Sequence, residues 1–299
     1  MSLFRRWTAT RTTAGADGPS RLEGAANLVL SFPKSGRTWL SYLYAYYSCY
    51  RILGDQADAF IDRELTPTAH IYRPLEHPAL LPHVERDHRR LVPPIRVAHY
   101  FDAKPYFQLD LALSEVEGDR VAFLVRDPRD VMVSYFHHTM QRADEVRERG
   151  KAAPAPDVDL SEFIRSDTYG IRAVVAYMNQ VIARGPRVFG VFRVVHYEDL
   201  VSSPADEFIQ VLRLFGADID PHAVHSAVAR ASFDNLQRLE IRRRTRKGAT
   251  PPPADALRFR RGVPGAYRTE LAAADVAYLD RVIDRHLDPA FARYRYGAT

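Results

Sequence analysis

Asn27-Leu-Val-Leu-Ser-Phe-Pro-Lys-Ser-Gly-Arg-Thr-Trp39 is the stretch on which the fold turns. Its first six residues form a short, almost wholly apolar run closed by Pro33, the pattern of a strand buried on both faces. Gly36 follows, and Trp39, Leu40, Leu43, Tyr44 and Tyr47 then recur at helical spacing. At a junction of buried strand, tight turn and helix, backbone N–H groups and the helix dipole point into one space, which favours a phosphate group there. Gly36 lets the backbone approach closely, Lys34 supplies a cation, and Ser35 and Thr38 supply hydroxyl donors.

Outward from this unit the same texture repeats. Residues 95–98, 121–125 and 188–195 are further short strand candidates, and residues 131–140, 171–182, 207–215 and 276–286 carry helical patterns. Strands alternating with helices predict an α/β fold: a single P-loop-like domain with a central parallel sheet flanked by helices. Its ligand is expected beyond the carboxyl ends of the strands. Residues 1–24 are polar and rich in Gly, Ala and Thr and read as a flexible arm, with the domain over 25–299. Two stretches break the pattern. Residues 142–159 are charged and then Ala/Pro-rich, which predicts an exposed loop. Residues 241–255 run from basic to proline-rich, which disfavours regular structure and fits a lid or a solvated linker.

Composition bounds the function. The chain has 299 residues, 46% hydrophobic, enough for one or two domains with a sizeable core. Its lone cysteine, Cys49, cannot form an internal disulfide or a cysteine-based zinc cluster. A net charge of +5 is a mild bias toward anionic ligands, below what a nucleic-acid-coating protein usually carries. The basic opening has no apolar stretch behind it, and no apolar run approaches the roughly 20 residues that span a bilayer. A soluble, cytoplasmic protein without a membrane span is expected.

The loop resembles a Walker phosphate loop but departs from it. Ser31 stands where the first Gly would be, Arg37 where the nucleotide-cradling Lys would be, and the lysine lies three positions earlier at Lys34. A second constellation is Val121-Ala-Phe-Leu-Val-Arg-Asp-Pro-Arg-Asp-Val-Met-Val-Ser134. Asp127 can cap a helix with Pro128 in its first turn. Arg126 would then stand at a strand's carboxyl end, and Ser134 two turns into the helix on a face that can return to the same crevice. An arginine and a hydroxyl converging there suit a second phosphate; the alternative is Arg126 paired with Asp127 or Asp130 at the surface.

Together these two segments resemble the sulfotransferases that use 3′-phosphoadenosine 5′-phosphosulfate (PAPS), the soluble, cytosolic-type group in particular. The resemblance implies that Lys34, Ser35, Gly36, Arg37 and Thr38 line the 5′-phosphosulfate, that Trp39 lies against adenine, and that Arg126 and Ser134 bind the 3′-phosphate. It continues through His196-Tyr-Glu-Asp-Leu200, whose Tyr197 would contact the base, and through Ala231-Ser232-Phe233. Arg258-Phe-Arg-Arg-Gly262 resembles the family's closing loop, which would put Arg260, Arg261 and Gly262 on the 3′-phosphate and extend the lid over 241–262. Gly265-Ala-Tyr-Arg resembles the Gly-Asp-Trp-Lys that follows it. The likeness covers roughly residues 27–270.

The resemblance also implies a catalytic histidine at the end of a strand between the two phosphate motifs, a place that His99 fills. An imidazole with its usual pKa near 6.5 can take the acceptor's proton at neutral pH. Val97 stands where the family often has a lysine, so charge on the sulfuryl oxygens would fall to Lys34 and Arg37. The implied roles are then His99 as base, Lys34 on the bridging oxygen, and Ser134 on the 3′-phosphate and restraining Lys34 until an acceptor arrives. No metal is expected. The acceptor is a hydroxyl of a small molecule, glycan or lipid, and the oligomeric state is open. Two other classes stay in view: a P-loop nucleotide kinase or NTPase using magnesium, and a non-enzymatic polyanion-binding protein using the basic run at 241–247.

Overall fold

The computed structural model describes residues 27–65, 75, 77–85, 87–97, 120–148, 153–245, 257 and 259–295. The arm at 1–24, His99 and the proline-rich 246–256 lie outside the described residues. The elements in chain order are β1 (Asn27–Ser31), α1 (Arg37–Leu53), α2 (Ala57–Arg63), α3 (His88–Leu91), β2 (Ile95–Val97), β3 (Arg120–Val125), α4 (Pro128–Gln141) and α5 (Ala143–Glu148). There follow α6 (Leu160–Arg165), α7 (Ile171–Val188), β4 (Val191–His196), α8 (Tyr197–Ser202), α9 (Pro204–Leu214), α10 (Pro221–Arg230), α11 (Phe233–Thr245) and α12 (Ala273–His286). Among the described residues no helix is long and apolar enough to cross a membrane.

The four strands form one parallel sheet in the order β2-β1-β3-β4. Every residue of β1 is buried, as a strand covered on both faces requires. Alternation splits its side chains between two cores. Leu28, Leu30 and Phe32 join Val121, Phe123 and Val125 beneath α4, α6, α7 and α12. Val29 joins Ala122, Leu124 and Val195 against α1, α2, α9, α10 and α11. The result is helix, sheet, helix in three layers, the α/β architecture expected from the alternating elements.

The strand order explains where a ligand can sit. From β1 the chain passes to β2 on one side, then crosses to β3 on the other. The helix after β1 therefore lies on one face of the sheet and the helix after β3 on the opposite face. The crevice at such a switch point opens beyond the carboxyl ends of β1 and β3, the strands that deliver Lys34 and Arg126.

Three expectations change. The strand expected at 188–195 is β4 at Val191–His196, because α7 runs on to Val188 through Gly185-Pro186. A proline inside a helix loses its own N–H bond and crowds the carbonyl four residues earlier, and here that disturbance falls in the last turn. The loop expected at 142–159 contains the short helix α5. Of the irregular stretch expected at 241–255, residues 241–245 are the last turns of α11. Arg243 is not a solvated charge: it donates to Tyr42 Oη and to the Leu65 carbonyl at 3.0 Å each, and so holds the basic turn on the domain.

Candidate active site

The loop after β1 owes its shape to two left-handed residues, Lys34 (φ 69°) and Gly36 (φ 100°). Gly36 caps α1 without a side chain, and its carbonyl accepts from Leu40 N at 3.1 Å. A Cβ at Gly36 would lie 2.5 Å from Tyr197 Cδ2. Glycine is thus required both by its dihedral angle and by the ring packed against it. The first N–H groups of a helix have no intrahelical partner and are available to an anion.

The end of β3 is fixed by its cap. Asp127 accepts from Arg129 N at 2.9 Å and starts α4 with Pro128 in the first turn. Burial pushes the Asp127 carboxyl up to about 6, although Arg129 opposes this. The Asp127 N–H donates to Glu198 Oε1 at 2.9 Å, so the segment after β4 steadies the segment after β3. Glu198 Oε2 accepts from Tyr294 Oη, whose oxygen also lies 2.8 Å from His196 Nδ1. The Glu-Asp pair that follows Tyr197 is therefore structural: Asp199 is held in turn by both terminal nitrogens of Arg293.

Arg126 leaves this junction toward the loop. Its Nη1 donates to the Lys34 carbonyl at 3.5 Å, its Nη2 lies 3.4 Å from Asp130 Oδ2, and its guanidinium stands 4.5 Å from the centre of the Tyr197 ring. Pairing with Asp130 thus occurs, but in the interior: the two side chains are 11% and 1% exposed. Asp130 also accepts from Gly265 N at 2.7 Å and Tyr267 N at 3.0 Å. Among the described residues Arg126 Nε is buried with no hydrogen-bond partner.

Tyr197 is the hub of the site. Its ring touches Gly36, lies edge-on to Trp39 at 5.9 Å and carries Arg126, while its hydroxyl donates to the Gly262 carbonyl at 3.2 Å. Trp39 Nε1 is tied to the Ala231 carbonyl at 2.9 Å. Residues 259–267 form a strap held by α11: Gln237 donates to the Phe259 carbonyl and Glu240 accepts the Phe259 N–H. Gly262 (φ 69°) sits where a Cβ would lie 2.3 Å from Phe233 Cδ2, so the strap presses on the Phe233 ring.

These parts enclose one cleft of about 410 Å³. It is lined by Lys34, Gly36, Arg37, Thr38, Trp39, Arg126 and Ser134, and by Tyr197, Phe233, Arg260, Arg261 and Gly262, all named from the sequence. Two others lie elsewhere. Ser35 is buried beneath the loop, its N–H turned back to the Phe32 carbonyl. Ser232 sits at the start of α11, its carbonyl accepting from Leu236 N. Sequence reasoning missed Phe259, Arg142 and Glu270 in the lining and weighed Asp130 only as a surface partner. The spacing of Asp130, four residues after Arg126 on α4, was the one available signal. The cleft holds six Lys or Arg side chains against two carboxylates, Asp130 and Glu270. Six cationic side chains sharing one cleft with the rings of Trp39, Tyr197 and Phe233 fit a nucleoside carrying two phosphate groups.

The family model of the sulfotransferase domain matches residues 26–290. The chain is 23% identical over 271 residues to a flavonol 3-sulfotransferase of Flaveria bidentis, covering 86% of this chain and 80% of that one. It is 23% identical over 269 residues to a flavonol 4′-sulfotransferase of Flaveria chlorifolia, covering 86% and 77%. Among solved structures, retinol dehydratase in complex with androsterone and the inactive cofactor PAP superposes with a TM-score of 0.56 at 15% identity, over 94% of this chain and 84% of that one. A mouse sulfotransferase complexed with PAP gives 0.52 at 13% identity, over 92% and 89%.

Proposed function

Because the chain belongs to the sulfotransferase domain family, we propose that it moves the sulfuryl group of PAPS to a hydroxyl of a small-molecule acceptor and releases adenosine 3′,5′-bisphosphate. The observation that carries this reading is the junction of the two anion-binding segments: Arg126 donates to the Lys34 carbonyl, and both residues line one cleft with Arg260. The flavonol specificity of the two plant relatives favours a phenolic hydroxyl as the first acceptor to offer.

In this reading the loop of Lys34, Gly36, Arg37 and Thr38 faces the 5′ side of the donor. Arg126, Ser134, Arg260 and Arg261 take the 3′-phosphate, and Trp39, Tyr197 and Phe233 supply the aromatic wall for adenine. The acceptor oxygen bonds to sulfur as the bond from sulfur to the bridging 5′-phosphate oxygen breaks. Lys34 offsets the charge that develops on that bridging oxygen. The acceptor's proton passes to His99, two residues beyond β2. Support for His99 comes from the sheet: Val97 pairs with Val29 in parallel register, so β2 leaves the sheet at the same end as the Lys34 loop.

The test is radiolabelled PAPS offered to a panel of phenols, steroids and glycans, with His99→Ala as control. Labelled product with at least one acceptor, abolished by His99→Ala while nucleotide binding stays near normal, is expected. An active His99→Ala protein would move the base elsewhere. Absence of transfer together with magnesium-dependent ATP turnover would favour a nucleotide kinase or NTPase.

A further inference from the structure

Glu270 lines the cleft beside the two strap arginines and has no part in the chemistry proposed above. Its Oε2 accepts from Arg260 Nη1 at 2.6 Å and lies 3.0 Å from His137 Nε2 on α4. Its Oε1 is 3.6 Å from Arg261 Nε, and is buried without a hydrogen bond among the described residues. One carboxylate thus spans two successive guanidinium groups, as a phosphate would. Burial pushes the Glu270 carboxyl up, but hydrogen bonds from Arg260 and His137 and the charges of Arg260 and Arg261 outweigh it and hold it below the usual range. The group is an anion inside a cleft built for anions.

We propose that Glu270 is a positioning residue for the donor: it holds Arg260 and Arg261 as an internal counter-anion and competes for them with the nucleotide's 3′-phosphate. The proposal rests on the placement of that phosphate given above. The Arg260 side chain is only 12% exposed, so an incoming dianion reaches it only by displacing the carboxylate or by sitting against it, and like charges in contact repel. His137 remains as a partner for the displaced carboxylate. Donor and product share the 3′-phosphate, so the competition weakens the hold on both and speeds product departure.

The experiment is calorimetric titration of wild type and Glu270→Gln, which keeps the shape and removes the charge, with adenosine 3′,5′-bisphosphate and with AMP. Glu270→Gln should bind the bisphosphate about tenfold tighter or more, since like-charge juxtaposition across a binding site is strongly unfavourable. AMP binding should be unchanged. In turnover, the donor KM and kcat should fall together. A purely structural residue would instead weaken binding when altered. Weaker or unchanged bisphosphate binding by folded Glu270→Gln overturns the proposal. If that variant does not fold, His137→Phe serves: a carboxylate without its second partner stays on the arginines, so bisphosphate binding should weaken while AMP binding holds, and no change overturns the proposal. A wild-type protein that does not prefer the bisphosphate to AMP would overturn the proposed function as well.

Discussion

Gly36→Ala is the sharpest local perturbation. Two costs add at this position. A non-glycine residue at φ 100° leaves its favoured regions, worth about 1–2 kcal/mol. The new Cβ would also lie 2.5 Å from Tyr197 Cδ2, and the ring cannot swing away while Gly262, Arg126 and Trp39 hold it. Such overpacking costs about 1–3 kcal/mol, for a total of about 2–5 kcal/mol. At roughly 2–4 °C per kcal/mol for a domain of this size, the melting temperature should fall by about 4–20 °C. The assay is denaturant unfolding of a double-mutant cycle with Tyr197→Leu. Removing the ring should relieve the clash but not the dihedral cost, giving a coupling of about 1–3 kcal/mol between the two substitutions. Additive effects, or a Gly36→Ala cost below about 1 kcal/mol, would refute the claim that Tyr197 buttresses the loop.

Asp130→Ala should lower stability by about 3–5 kcal/mol in urea unfolding, because it strands the Arg126 charge and two N–H groups of the strap; a loss under about 1 kcal/mol would show the strap is anchored by other contacts. Lys34→Ala should reduce kcat about 100-fold or more while the bisphosphate Kd shifts far less, since its charge acts on the leaving oxygen; equal losses in both would assign it to binding alone. Burial, with Arg293 adding to it, lowers His196 from 6.5 to about 4. The folded state therefore resists protonation of a histidine that the unfolded chain protonates freely. Its contribution is complete above pH 6.5 and is lost as pH falls toward 4, by up to about 3 kcal/mol. Unfolding free energies at pH 7 and pH 4.5 should show wild type losing more than His196→Gln; parallel losses would refute the assignment.

The parts of the fold that were legible in the sequence are those where one physical rule dominates. β1 and β3 are apolar on both faces because a central parallel strand has no other environment, and Asp127-Pro128 marks a helix start by its own chemistry. α11 was hidden for the opposite reason. Its arginines read as solvated charge, although Arg243 is engaged by Tyr42 and Leu65 from distant parts of the chain. The helical pattern over 171–182 stops short of α7, which runs on to Val188 with Gly185 buried. At the site, residues with a chemical signature at fixed spacing were found, and the cleft gathers twelve of them. Ser35 illustrates the limit: composition makes it a donor, whereas the turn buries it under the loop. Glu270 had no signal at all, because the contact with Arg260 and His137 exists only once the strap folds back on α4. Tyr197 was expected as a ligand contact, and its wider role as the buttress of Gly36, Arg126 and Gly262 is a property of packing.

Titrating the protein with adenosine 3′,5′-bisphosphate and with ADP, without magnesium, in wild type and Arg126→Ala, measures whether the Lys34 loop and Arg126 hold the two ends of one nucleotide. Strong binding of the bisphosphate, much weaker binding of ADP, and loss of that preference in Arg126→Ala are the predicted results. Equal affinity for the two nucleotides, or a preference that survives Arg126→Ala, would contradict the account.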